Sequence, residues 1–211
     1  EERIKNIFLT GPPSSGKTTV IKKVLSKLKR KATGFHTEEM KKNDKRVGFL
    51  MKTLDGKEGL LGHETIKSRF HIRRYGVSIE NVETVAVPSI TPNSENEIII
   101  IDEIGKMECF SEKFCLAATN ALNAGNVVLG TIAVGGTDFI REIKERKDIK
   151  IFEVTVQNRD VLPEQLINEI EKLLKRPRAL HGVAKGNIST FVLPLFHGLW
   201  PQKQSHPFHG W

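Results

Sequence analysis

Gly11-Pro12-Pro13-Ser14-Ser15-Gly16-Lys17-Thr18 fits the pattern G-x-x-x-x-G-K-[ST] at every position. Each residue type answers a chemical need. Glycines let the backbone curl so that successive N–H groups converge on a phosphate, where a Cβ would obstruct. The lysine can reach β- and γ-phosphate oxygens, and the threonine hydroxyl is a ligand for a hard cation. Immediately before the loop, Ile7-Phe8-Leu9 is an apolar run that reads as a buried strand. Behind it Val20, Ile21, Val24, Leu25 and Leu28 recur at helical spacing with lysines between them, the mark of an amphipathic helix. Strand, glycine-rich loop and helix together make a phosphate-binding loop, with the helix N-terminus aimed at the anion.

A triphosphate site needs a second half, and Ile98-Ile99-Ile100-Ile101 followed by Asp102-Glu103 supplies it. Four β-branched residues without alternation predict a central parallel strand covered on both faces. Its carboxylate would stand at the C-terminal edge, where α/β sheets place their ligands. Thr18 and Asp102 are therefore the expected metal residues, with Mg²⁺ the expected cofactor. Lys17 and Glu103 are the expected catalytic residues, the first on the transferred phosphate and the second as base for the attacking water. The nucleotide-binding set is Gly11, Pro12, Pro13, Ser14, Ser15, Gly16, Lys17, Thr18 and Thr19, together with Asp102, Glu103, Ile104 and Gly105. Further positive charge on the γ-phosphate would have to come from Lys106, Arg141, Arg146 or Arg159.

The remaining chain reads as alternating strands and helices. Residues 34–62 carry the polar turn cluster at 42–45 and Asp55-Gly56, and predict a β-meander after the first helix. Tyr75-Gly76-Val77 begins a strand, and 82–90 is a weak helix or loop ended by Pro88 and Pro92. A helix is expected over 110–122, a strand over 126–134, a helix over 138–147, a strand over 150–154 and a last helix over 163–175. The fold class is α/β: a mostly parallel central sheet flanked by helices, with an inserted antiparallel hairpin or meander.

Composition sets the outer limits. The 211 residues are 38% hydrophobic and 27% charged, enough for one full domain, with no apolar run of membrane-spanning length. A domain over 1–176 and an atypical C-terminal tail over 177–211 are expected. Cys109 and Cys115 lack metal-site spacing and read as reduced thiols of a cytoplasmic protein. The net charge of +8 is concentrated early: residues 1–50 hold thirteen Lys/Arg against five Asp/Glu. Lys22, Lys23, Lys27, Lys29 and Arg30 of the first helix supply much of it. A solvated helix face accounts for them, and nucleic acid is the weaker candidate partner, since aromatic interleaving is missing. The partners expected first are nucleoside triphosphates; oligomeric state is not legible. Two other functions fit the same loop. One is a nucleotide or small-molecule kinase with Arg69, Arg73 and Arg74, or Arg141 and Arg146, as lid residues. The other is a nucleotide-switched RNA-, DNA- or protein-binding module. The tail holds both tryptophans and four of the seven histidines. It reads first as a disordered or appended segment, then as a docking segment through Phe191, Phe196 and Trp200, and last as a metal site of His197, His206 and His209.

Several stretches also carry a family resemblance. Gly34-Phe35-His36-Thr37-Glu38-Glu39, then Ile101-Asp102-Glu103-Ile104-Gly105-Lys106-Met107-Glu108, then Gly130-Thr131-Ile132 and Asn158-Arg159-Asp160 follow the phosphate loop in this order. The chain thereby resembles the THEP1 nucleoside-triphosphatase family over roughly residues 5–175. The resemblance implies slow hydrolysis of ATP, GTP and other triphosphates to the diphosphate and phosphate. It also implies a RecA-like or kinase-like parallel sheet with an inserted antiparallel hairpin, and nucleotide contacts at Gly11–Thr18 and Asp102–Gly105. Two departures stand out: Ser14-Ser15 replaces the usual Gly-Val type pair, and the tail has no counterpart.

Overall fold

The computed structural model describes residues 3–94 and 97–175; the tail, with every residue singled out in it above, lies outside them. Nine strands form one sheet in the order β5-β6-β4-β3-β2-β7-β8-β1-β9. The strands are β1 (Asn6–Thr10), β2 (Ala32–Lys42), β3 (Lys45–Thr53), β4 (Glu58–His63), β5 (His71–Ile72), β6 (Tyr75–Val77), β7 (Ile98–Ile104), β8 (Val128–Ile132) and β9 (Ile149–Glu153). Pairing is parallel from β2 through β7, β8 and β1 to β9. From β2 outward through β3, β4, β6 and β5 it is antiparallel. The inserted meander is thus larger than 34–62, and it extends the main sheet instead of standing apart from it. β2 is the hinge between the two halves, with Ala32–His36 on β7 and Phe35–Lys42 on β3. The β2–β3 connection is a two-residue turn in which Asn43 and Asp44 both take positive φ, 50° and 57°. That is the primed geometry whose twist matches a hairpin.

The isoleucine run behaves as its lack of alternation predicts. All four residues of Ile98–Ile101 are fully buried, because helices cover both faces of β7. Ile98 and Ile100 join Ile7, Leu9 and Leu129 under α1 (Lys17–Lys27) and α6 (Leu162–Lys175), packing on Val20, Ile21, Val24, Leu166 and Ile170. Ile99 and Ile101 join Phe8 and Val128 on the other face, under α4 (Glu112–Asn123) and α5 (Asp138–Glu145). There Phe114 meets Phe35 edge to face, with ring centroids 6.1 Å apart.

The helical segment before β7 differs from expectation. Residues 79–89 are helical throughout, as α2 (Ile79–Asn81), a π turn (Val82–Ala86) and α3 (Val87–Ser89). Pro88 does not end the helix. It stands one residue before the helical run ends at Ser89, directly after the π turn. Buried Val82, Ala86 and Ile90 hold this segment on the sheet. Further on, Ser111 caps α4 by accepting from the Phe114 amide, and Thr137 caps α5 by accepting from that of Ile140. Among the described residues, no helix is long and apolar enough to cross a membrane.

Candidate functional site

The loop leaves β1 at Gly11 and enters α1 at Gly16, both at positive φ, 147° and 103°. A Cβ on Gly11 would come within 2.7 Å of the Val154 carbonyl oxygen, so glycine is required there on space as well as on dihedral. Gly16 offers α1 no side-chain cap, and the first turn of α1 contains no acid. Its leading amides and the positive end of its dipole are left to an external anion. The Ser15 hydroxyl is buried in the loop and has no hydrogen-bond partner among the described residues, a further donor turned inward. The Ser14-Ser15 pair thus brings a hydroxyl into the loop. Lys17 spans the loop, donating to the carbonyls of Gly11 at 3.0 Å and Pro12 at 3.3 Å, with its ammonium 3.9 Å from Glu103 Oε2.

β8 lies between β1 and β7, so the acidic half of the site reaches the loop across one intervening strand. The parallel register sets Gly130 beside Ile101 and Thr131 beside Leu9. Thr131, the middle residue of Gly130-Thr131-Ile132, thus donates to Asp102 Oδ1 at 2.6 Å. From the other side Thr37 donates to the Asp102 carbonyl at 2.9 Å. Burial pushes the Asp102 carboxyl up, opposed by the hydroxyls of Thr131 and Thr18 and by the charges of His36 and Lys17. Glu103 is pushed up by its partial burial too, with Lys17 opposing and Asp102 adding to the shift.

A third carboxyl belongs to this cluster. Glu108 is 4% exposed and is pushed up to about 8, first by desolvation and then by the charge of Glu103, so it is largely protonated at pH 7. A Cβ on Gly105 would lie 2.7 Å from Glu108 Oε2 and 3.3 Å from Glu103 Oε1, so Gly105 is the gap between the two acids. Glu108 closes the Ile101–Glu108 stretch quoted above. Its role was hidden because the sequence alone does not reveal that the chain turns back at Gly105.

The candidate cations separate. Arg146 makes a two-pronged pair with Asp148 at 2.9 Å and donates to Asn123. Asp148 precedes β9 and accepts from Asn6 at the start of β1. Arg146 is therefore at the opposite sheet edge from the loop, one five-residue strand away, or roughly 17 Å at about 3.3 Å per residue. It is not a γ-phosphate residue. Arg141 is exposed and paired with Asp138 at 2.5 Å. The stem of Lys106 lies against Gly136, on the loop after β8. Arg159 lies over Gly16, its Cδ 3.4 Å from where a Cβ would stand. Besides Lys17, the cation that faces Glu103 is Lys144 of α5, which donates to the Val134 carbonyl at 2.6 Å and also opposes the rise of the Glu103 pKa. It sits 41 residues beyond Glu103 in sequence, with no local pattern to mark it.

The fit of a magnesium ion can be judged on Asp102. Its Oδ2 is buried and makes no hydrogen bond among the described residues, while the Thr18 hydroxyl stands near enough to the same carboxyl to oppose its rise. One unsatisfied carboxylate oxygen and one hydroxyl are hard donors, which suit Mg²⁺. Among the described residues, no group of three or more His, Cys, Asp and Glu side chains could hold a metal on its own. A cation at Thr18 and Asp102 would take its other oxygens from a phosphate chain and from water.

Comparison with known proteins identifies the family. A family model described as NTPase matches residues 6–167. The chain belongs to the nucleoside-triphosphatase family. It is 41% identical over 170 residues to nucleoside-triphosphatase THEP1 of Thermotoga maritima, covering 80% of this chain and 95% of that protein. It is 35% identical over 188 residues to the human cancer-related nucleoside-triphosphatase, covering 81% and 99%. The crystal structure of THEP1 from Aquifex aeolicus superposes with a TM-score of 0.72 at 34% identity, covering 79% of this chain and 99% of that one. The family match opens on the first residue of β1 and closes inside α6. It therefore takes in all nine strands, the antiparallel extension of the nucleoside-triphosphatase sheet included.

Proposed function

We propose that this nucleoside-triphosphatase cleaves the β–γ bond of a magnesium-bound nucleoside triphosphate at the edge where Lys17, Asp102 and Glu103 meet. The observation that carries this reading is the unpartnered Asp102 Oδ2 beside Thr18, with Glu103 3.9 Å from the Lys17 ammonium. The loop amides and Lys17 bind the phosphate chain and orient it, so that its terminal phosphorus faces Glu103. Thr18 and Asp102 would hold Mg²⁺, which when bound neutralises charge on the β- and γ-phosphate oxygens. Glu103 orients the attacking water and accepts its proton; the terminal phosphate leaves as inorganic phosphate and the diphosphate remains on the loop. Lys144 adds positive charge on the Glu103 side.

Phosphate release from ATP, GTP, CTP and UTP in the absence of any acceptor tests the reaction class. Strict dependence on an added acceptor would make the protein a kinase instead. Lys17→Ala should lose most affinity and turnover. Glu103→Gln should keep binding while hydrolysis falls by about two orders of magnitude or more. Because the Glu103 carboxyl is raised, turnover should decline on acidification at a pH above the ordinary glutamate value of about 4.3. A Glu103→Gln enzyme with unchanged turnover would show that another group handles the water.

A further inference from the structure

The turn after β9 is built more carefully than a connection to α6 requires. Asn158 braces it with both ends of its side chain: Oδ1 accepts from the Thr155 amide at 2.9 Å and Nδ2 donates to the Glu153 carbonyl at 2.8 Å. The Asn158 amide returns a bond to the Thr155 hydroxyl at 3.3 Å. The turn is fixed to the phosphate loop by the Val154 amide, which donates to the Thr10 carbonyl at 2.8 Å. It is fixed to α1 by the Lys23–Asp160 pair at 3.0 Å. The residue that all this displays is Arg159. Its guanidinium is exposed and makes no hydrogen bond or ion pair among the described residues. Its stem lies over Gly16 and forms one wall of a cleft of about 230 Å³, which Gly16, Thr19, Val20, Lys23 and Asp160 complete.

We propose that this cleft is the nucleoside subsite, and that Arg159 holds the base by stacking its guanidinium plane on the ring. The inference rests on the triphosphate reading above and adds its direction. Lys17 and Glu103 mark the end of the phosphate chain where the bond breaks. The nucleoside must leave from the other end, past the first residues of α1, and Thr19 is both in that turn and on the cleft wall. Lys23 and Asp160 are engaged with each other and Val20 is apolar, which leaves the guanidinium of Arg159 as the uncommitted charged group lining the cleft. Stacking on a flat cation needs only a π face, which every base has. Such a contact fits the range of triphosphates that the family resemblance implies. Arg159 is accordingly a ground-state binding residue and not a source of charge on the γ-phosphate.

Steady-state hydrolysis of the four triphosphates by wild type and Arg159→Ala, with Mg²⁺-tripolyphosphate as a baseless competitor, tests this. The substitution is at an exposed side chain, and an unchanged melting temperature would verify the fold. KM should rise by roughly tenfold for all four substrates, the scale of one lost base–side-chain stack. kcat should stay within about twofold, and inhibition by tripolyphosphate should be unchanged. Equal weakening of tripolyphosphate would mean that Arg159 binds phosphate, and a fall in kcat at constant KM would make it a transition-state cation. No change in any parameter would remove it from the site. Each of these three results overturns the proposal. Failure of the underlying reading looks different: Lys17→Ala would then hydrolyse triphosphates normally.

Discussion

Glu108 is a residue whose chemistry departs far from its type. An ordinary glutamate ionises near pH 4.3, whereas burial beside Glu103 lifts this one to about 8. The sign of the effect on stability follows from linkage. Below the unfolded value both states hold the proton and nothing is lost. Between there and pH 8 the unfolded chain is ionised while the folded one must keep its proton, so stability falls as pH rises, by about 1.4 kcal/mol per unit at most. Above pH 8 the loss levels off. Glu108→Gln should therefore be close to neutral at pH 4.5 and more stable than wild type at pH 8, read from denaturant midpoints at the two pH values. A difference that stays constant between them would place the Glu108 proton elsewhere.

At the scale of elements, the phosphate loop and the Asp102 strand were legible because each is a local device. One is a run of backbone amides, the other a four-isoleucine strand ending in an acid, and both are written in consecutive letters. Lys144, Glu108 and the setting of Arg159 were not, because they depend on how α5, the Gly105 turn and the β9–α6 turn pack. Arg146 was misplaced for the same reason: only the sheet shows that it sits at the wrong end of β9. Two predictions belong here. Lys144→Met should lower kcat by about tenfold with little change in KM, if its charge matters mainly as the bond breaks. A raised KM at constant kcat would confine it to ground-state attraction. Leu166 of α6 is fully buried against α1. Leu166→Ala should cost about 2–5 kcal/mol in chemical unfolding, and a loss under about 1 kcal/mol would mean that α6 repacks freely on the loop-bearing helix.

Over the whole molecule, the early surplus of lysine and arginine finds partners in space. On α1 and just beyond it, Lys22 meets Glu38 at 2.5 Å, Lys23 meets Asp160, Lys27 meets Glu164 at 2.5 Å and Arg30 meets Glu171 at 3.5 Å. The first of these helps hold the Glu38 carboxyl at about 2, together with Lys52 and His36. Exposed pairs of this kind contribute little stability each, but they neutralise the face that could have attracted a polyanion. Single-stranded RNA should thus bind no tighter than the nonspecific range of about 10⁻⁴–10⁻⁶ M at physiological salt, irrespective of nucleotide, when followed by fluorescence anisotropy. Submicromolar affinity that changes with the bound nucleotide would restore the switch reading.

The strand between the loop and the acid has a mechanical consequence. β8 touches both β1 and β7, yet the groups that would grip a phosphate chain lie on its neighbours, so an occupied site staples two rails across the sleeper between them. Opening β8 would then require releasing the ligand first. Its amide protons, already buried, should exchange with deuterium more slowly once substrate is seated, and those of the distant β5–β6 hairpin should not notice.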